Sequence, residues 1–325
     1  MKVLVIGAAG MVGRKLVAAL LASGKVGERA ITALALADVV APVAPASAFP
    51  ITTAAVDLSS PEVAGALVAD RPDLIFHLAA IVSGEAEADF EKGYRINLDG
   101  TRYLLEAIRQ VGAPYRPRLV FTSSIAVFGE PLPEIIGDTQ HHTPLTSYGI
   151  QKAICELLLA DYSRRGFIDG VGIRLPTIVV RPGKPNKAAS GFFSGIIREP
   201  LAGQEALLPV AETVRHWFAS PRAAVGFLLH AATLDTARLG NQRNLTMPGL
   251  AATVGEEIAA LERVAGPKAT ALIRRVPDET IIGIVDGWPK AFDASRSQAL
   301  GFKGDASFDE IIRIHIEDEL GGKLA

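Results

Sequence analysis

The chain has 325 residues, 49% of them hydrophobic, with 33 lysines and arginines against 35 aspartates and glutamates and a formal net charge of −2. That balance excludes a disordered chain and supplies no basic surface for nucleic acid or an anionic membrane. A single cysteine, Cys155, excludes an internal disulfide and a cysteine-based metal centre, and no metal is expected. Glycines interrupt the one leader-like run, and no stretch reaches the ~18 apolar residues of a membrane span. The reading is a soluble, cytoplasmic protein of about two domains.

Strand-like runs at 2–6, 31–37, 74–78 and 119–122 alternate with helix-like segments at 11–22, 61–69, 90–110 and 147–164. Runs that are apolar throughout are buried on both faces, as in a parallel sheet covered by helices. The alternation implies right-handed crossovers and a doubly wound α/β sheet. Residues 38–49, rich in Ala, Pro and Val, read as an irregular surface connection. Beyond Gly170, residues 171–175 and 178–180 are strand-like, 182–191 is a polar loop, and 192–201, 221–234, 254–264 and 308–320 look helical. The expected organisation is a dinucleotide-binding domain over 1–170, to which a later segment at about 214–245 returns. A smaller, mostly helical C-terminal lobe over 171–325 would hold the substrate.

Gly7-Ala-Ala-Gly10-Met-Val-Gly13 follows the first strand and opens a helix. Glycine is needed where the chain turns tightly and where backbone approaches a pyrophosphate, whose oxygens the free amides of the helix start then hold. Asp38 lies at the end of the second strand-like run. An acid there holds both adenosine-ribose hydroxyls and repels a 2′-phosphate, which selects NAD over NADP. The competing reading is a plain strand-end aspartate. Asp57 and Leu58 are further candidates for the adenine.

Tyr148-Gly-Ile-Gln-Lys152 places a phenol and an ammonium four residues apart, on one face of a helix. A free tyrosine, with a pKa of about 10, is a poor base at neutral pH, and a nearby ammonium favours its phenolate. Thr122-Ser-Ser-Ile-Ala-Val-Phe-Gly129 follows the 119–122 strand, at the sheet edge where ligands sit. Ser124 is the choice for orienting the reacting oxygen, with Ser123 its competitor and a turn-capping hydroxyl the alternative for either. Asn97, a poor helix-interior residue, would bend the 90–110 helix and hold a water that relays protons to Lys152.

Together these residues resemble the extended short-chain dehydrogenase/reductases, a group that includes NAD-dependent sugar-nucleotide epimerases and dehydratases. The resemblance rests on the three glycines, Asp38, His77-Leu-Ala-Ala80, Asn97, Ser123-Ser124, Tyr148/Lys152 and Val180-Arg-Pro-Gly183, and covers nearly the whole chain. It departs at Phe128, where the group often has tyrosine. The runs Gly172 to Asn186, Gly191 to Gly203 and His216 to Arg222 look like the D-erythronate dehydrogenase branch, whose members are taken to oxidise the 2-hydroxyl of a four-carbon sugar acid. The resemblance implies a Rossmann sheet, with NAD held by Gly7, Gly10, Met11, Val12, Gly13, Asp38, Asp57, Leu58, Leu78, Ala79, Ala80, Asn97, Thr122, Tyr148, Lys152, Leu175, Pro176 and Thr177. Catalysis would fall to Ser124, Tyr148, Lys152 and Asn97. Substrate contacts are expected from Ser83, Ser123, Ser124, Tyr148, Arg174, Arg181, Arg215 and His216. Arg174 sits in a strand-like run, where it could instead pair with a carboxylate of the fold, and Ser83 could simply cap a helix. A homodimer through the helix carrying Tyr148 is expected, with Ala153, Ile154, Leu157 and Leu158 on its apolar face. Two other functions are carried along: an epimerase that retains its NAD, and a non-catalytic NAD sensor. A dehydratase is disfavoured, because Ile125-Ala126 stands where that group usually has Asp-Glu.

Overall fold

The structure, a computed structural model, describes residues 1–183 and 189–323. Residues 184–188 of the expected polar loop, including Lys184, Pro185 and Asn186 of the branch-like run, lie outside the described residues. The chain divides into two compact units: Met1–Val127, Pro144–Arg174 and Val225–Leu245 in the first, Phe128–Thr143, Leu175–Ala224 and Thr246–Ala325 in the second. Residues 171–174 stay with the first unit because their strand is a member of its sheet, whereas 128–143 pass to the second.

The first unit is built on a seven-stranded sheet in the order Asn244–Thr246, Asp169–Leu175, Arg118–Ser124, Leu74–His77, Lys2–Ile6, Ala33–Asp38, Ile51–Ala55. The pairings from Arg118–Ser124 across to Ile51–Ala55 are parallel. Lys2–Ile6 is central, and four of its five residues are buried, as a strand covered on both faces requires. Leu4, Ile6, Ile75, Phe121, Leu105 and Leu159 join sheet to helices in one apolar core. Ile51–Ala55 is an edge strand with no fully buried residue, which is why no apolar run announces it. The expected helix over 90–110 is interrupted. Phe90–Gly93 and Gly100–Val111 are α-helical, and Tyr94–Asp99 between them is a π-helical turn centred near Asn97.

The second unit carries more strand than its sequence suggests. Arg215–Ala219 pairs antiparallel with Leu250–Thr253 and parallel with Thr177–Ile178. Ala206–Leu208 pairs parallel with Ile273–Arg275. Helices Gly191–Leu201, Val254–Ala265 and Phe308–Glu319 pack around Phe193, Ile197, Phe218, Leu261 and Ile312. Thr253 and Glu256 form a reciprocal capping box at the start of Val254–Ala265.

Candidate active site

From Lys2–Ile6 the chain first adds strands on one side, 33–38 and 51–55, and then on the other, 74–77 and 118–124. Ligands of doubly wound sheets sit at the carboxyl ends of the strands flanking such a reversal. A groove of about 990 Å³ lies there, lined by Gly7, Gly10, Asp38, Asp57, Leu58, Leu78, Ala79 and Ala80. Arg14, Ile81, Val39, Val40 and Val43 also line it, and sequence reasoning missed them. Gly7 has φ 90, a backbone region that disfavours side chains. A Cβ on Gly13 would stand 2.1 Å from the Gly7 carbonyl oxygen, so only glycine lets helix Met11–Ser23 start directly against the turn. Met11, Val12 and Gly13 form its first turn, which holds no acid and has no side-chain cap. Its free amides and positive helix end suit a pyrophosphate. Asp38 is half-buried, its two oxygens accepting from the amides of Ala9 (2.9 Å) and Val39 (2.7 Å). The Ser59 hydroxyl, helped by its amide and by Arg95, holds the Asp57 carboxyl below its ordinary range. These features fit a dinucleotide.

Helix Ser147–Arg164 carries Tyr148 and Lys152. Its first turn is held by the Thr146 hydroxyl, which accepts from the Gly149 amide at 3.1 Å, and by Glu87, which accepts from the Ser147 amide at 2.9 Å. Tyr148 is half-buried and Lys152 is buried. The Lys152 ammonium donates to the Thr122 carbonyl at 2.8 Å and lies 5.7 Å from the Tyr148 ring centroid. Burial pushes the Lys152 pKa down to about 8, and neighbouring Cys155 and Glu156 act in the opposite sense. A Cβ on Gly149 would stand 2.2 Å from the Ala126 carbonyl oxygen. That close approach sets the turn after Ser124 against the turn carrying Tyr148.

Neighbouring residues of a strand face opposite ways, and this separates the two serines. Ser124 is half-buried and its hydroxyl accepts from the Ala126 amide at 3.1 Å. Ser123 is buried and donates to Glu156 at 2.5 Å. Arg174, also buried, engages both oxygens of the same carboxylate, at 2.9 and 2.8 Å. The substrate contacts expected of Ser123 and Arg174 are therefore corrected: both side chains serve the buried Glu156, which sits one turn beyond Lys152. Thr122 is buried as well, its hydroxyl donating to the His77 carbonyl at 3.1 Å. His77, its pKa driven to about 3 by burial and the Lys152 charge, is neutral, with Nε2 2.9 Å from the Thr101 hydroxyl.

The helix opens into a π turn at Asn97, and the Asn97 side chain does not form the relay to Lys152. Both amide hydrogens are engaged, one by the Ile81 carbonyl at 3.2 Å and one by Gln151 Oε1 at 2.7 Å, while Oδ1 accepts from the Ile81 amide at 2.9 Å. Its carbonyl accepts from the Thr101 hydroxyl and the Cys155 thiol. Asn97 thereby stitches the groove-lining Ile81 to two positions of the helix carrying Tyr148 and Lys152. Ser83 is the first residue of helix Ser83–Ala88, half-buried, and it does not cap that helix.

The remaining candidates lie in the second unit. Leu175 and Thr177 are half-buried and Pro176 is buried. Half-buried Arg181 donates to the Ile178 carbonyl and the Ser190 hydroxyl, each at 2.9 Å. Arg215 and His216 are neighbours on one strand and so face opposite ways. Arg215 is exposed beside Glu256 and the Ala251 carbonyl, whereas His216 is only 2% exposed with both ring nitrogens engaged. Those two cannot line one pocket, and His216 does not reach a substrate directly.

Comparison with known proteins completes the picture. The model of the NAD dependent epimerase/dehydratase family matches residues 3–242. The D-erythronate dehydrogenase of Cupriavidus necator is 49% identical over 322 residues, covering 98% of each chain. That of Haemophilus influenzae is 43% identical over 320 residues, covering 98% of this chain and all of its own. A crystal structure from Agrobacterium tumefaciens, described as a nucleoside-diphosphate-sugar epimerase, is 63% identical with a TM-score of 0.98, covering 100% of this chain and 96% of its own. The L-threonine 3-dehydrogenase of Trypanosoma brucei shares the fold, with a TM-score of 0.84 at 24% identity and 97% and 96% coverage. The chain belongs to the NAD dependent epimerase/dehydratase family.

Proposed function

We propose that the protein oxidises the 2-hydroxyl of D-erythronate to 2-oxo-erythronate with NAD. The observation that carries this reading is the near-complete match to two D-erythronate dehydrogenases. NAD, when bound, supplies the hydride acceptor; Gly7, Gly10, the first turn of Met11–Ser23, Asp38 and Leu78 to Ala80 would hold it. Ser124, with its hydroxyl at the strand end, orients the substrate oxygen. Tyr148 as phenolate removes the hydroxyl proton, and the Lys152 ammonium beside its ring favours that phenolate. Asn97 and Gln151 hold the helix that carries both.

A second reading, an epimerase that returns the hydride and retains its cofactor, is favoured by the description of the Agrobacterium structure. NADH absorbance separates the two. The dehydrogenase reading expects net NADH with D-erythronate in a panel that includes L-threonate and D-threonate. Silence across the panel, with a nucleotide sugar interconverted, refutes it. We further place the protein in the cytoplasm as a homodimer through Ser147–Arg164, where Leu157 is 68% exposed, Ile154 and Leu158 are half-buried and Ala153 is buried. A monomeric mass by light scattering at micromolar concentration rules the dimer out.

A further inference from the structure

Ala9 ties two opposite charges to one point of the groove in the first unit. Its amide donates to the Asp38 carboxylate at 2.9 Å, and its carbonyl accepts from the Arg14 guanidinium at 3.0 Å. All three residues line the groove. The amide nitrogen and carbonyl oxygen of one residue lie within about 4 Å of each other, so the carboxylate and the guanidinium stand close along the same wall. They form no ion pair with each other. Among the described residues, Arg14 has no carboxylate partner, and the Ala9 carbonyl engages only one of its five donors. Arg14 is exposed and is the fourth residue of helix Met11–Ser23, whose first turn holds no acid. Its side chain points back towards the helix start, where the backbone already favours an anion. Asp38 comes much later in the sequence, so nothing local in the sequence sets this cation beside it.

We propose that Arg14 is a specificity-determining residue that attracts a 2′-phosphate on the adenosine ribose and opposes Asp38. The inference rests on the NAD reading above. An acid at the strand end holds the ribose hydroxyls and repels a 2′-phosphate, whereas a guanidinium matches a phosphate with paired donors. The preference for NAD over NADP is then a difference between two neighbouring charges. Removing the Asp38 charge opens the groove to NADP without any added cation, because Arg14 already supplies one.

Calorimetric binding of NAD and of NADP to the full chain reads this without turnover. Arg14→Gln, which keeps a donor for the Ala9 carbonyl, should weaken NADP on the order of tenfold and NAD by less than about twofold. Arg14 is exposed, so its effect on NADP should shrink at high salt. Arg14→Lys should retain more NADP affinity than Arg14→Gln. Asp38→Asn should shift the balance towards NADP on the order of tenfold, and Arg14→Gln in that background should take the gain away. If Asp38→Asn does not fold, the single Arg14 variants decide alone. Equal losses for NAD and NADP in Arg14→Gln, as a guanidinium on the diphosphate or against the adenine would give, overturn the inference and leave the NAD reading intact. So does the absence of any loss. A wild-type protein that binds neither dinucleotide overturns both.

Discussion

Replacing Glu156 by glutamine tests the account of the catalytic helix most directly. The Glu156 carboxylate receives Arg174 and Ser123 with side-chain exposures of 1% for Glu156 and 5% for Arg174. A carboxamide keeps the shape, removes the negative charge and turns one acceptor into a donor facing a guanidinium. Breaking one side of a buried ion pair costs about 3–5 kcal/mol. At about 2 °C per kcal/mol for a chain of this size, the thermal midpoint of Glu156→Gln should fall by roughly 6–10 °C. The double variant Glu156→Met/Arg174→Met removes both charges and should recover most of that loss. Glu156 also raises the Lys152 pKa against the effect of burial, so its neutralisation should move the alkaline limb of the kcat profile below the limb set by a lysine at about 8. Thermal melts followed by circular dichroism and a pH–rate profile read both effects. A midpoint within 2 °C of wild type would mean that the pair contributes no more than ~1 kcal/mol, as a surface pair does, and would falsify the clamp.

Tyr148→Phe should abolish turnover while leaving NAD affinity within about twofold by calorimetry, because only the proton-accepting oxygen is lost. Gly149→Ala would drive a Cβ to within 2.2 Å of the Ala126 carbonyl; it should cost about 1–3 kcal/mol in the melt and lower kcat far more than it changes KM. Glu257 is fully buried in helix Val254–Ala265, neither oxygen has a hydrogen bond, and burial raises its pKa well above 4.5. Below the unfolded pKa both states are protonated and the fold is not penalised; above it the unfolded chain ionises while the folded one resists, and stability is lost as pH rises. Glu257→Gln should therefore melt higher than wild type at pH 8 and converge with it by pH 4, and a constant offset between the two would rule out titration as the cause.

The glycine turn and the Tyr148–Lys152 pair were readable because their signals are local. Gly7, Gly10 and Gly13 meet strand and helix within a dozen residues, Asp38 terminates the next sheet strand, and Tyr148 and Lys152 share one turn. What stayed hidden depends on partners distant in sequence. Nothing local pairs Arg174 with Glu156 rather than with a substrate, and nothing in Thr122-Ser123-Ser124 says which hydroxyl the strand turns outward. The edge strand Ile51–Ala55 carries threonines and alanines because one of its margins has no neighbouring strand, so the apolar criterion passes over it. Helical periodicity over 90–110 could suggest a break at Asn97 but not its form, since a single π turn shifts the pattern by only one residue.

That π turn has a consequence for how the gene can vary in length. A π turn holds one residue more than the α turn it replaces, so removing one residue from 94–99 would allow a continuous α-helix and no local penalty would oppose it. The helix downstream would keep its facing, because the lost residue is the one the wider turn absorbs, while the residues within 94–99 would shift to new positions. Arg95 would leave Asp57, and Asn97 would leave Ile81 and Gln151, so Asp57 would lose its tie to the turn and Ile81 its tie, through Asn97, to the helix bearing Tyr148. In a library of single-residue deletions, the exposed residues 46–48 should accept losses that the better-formed helix cannot, although the deletion at 94–99 leaves the more regular backbone.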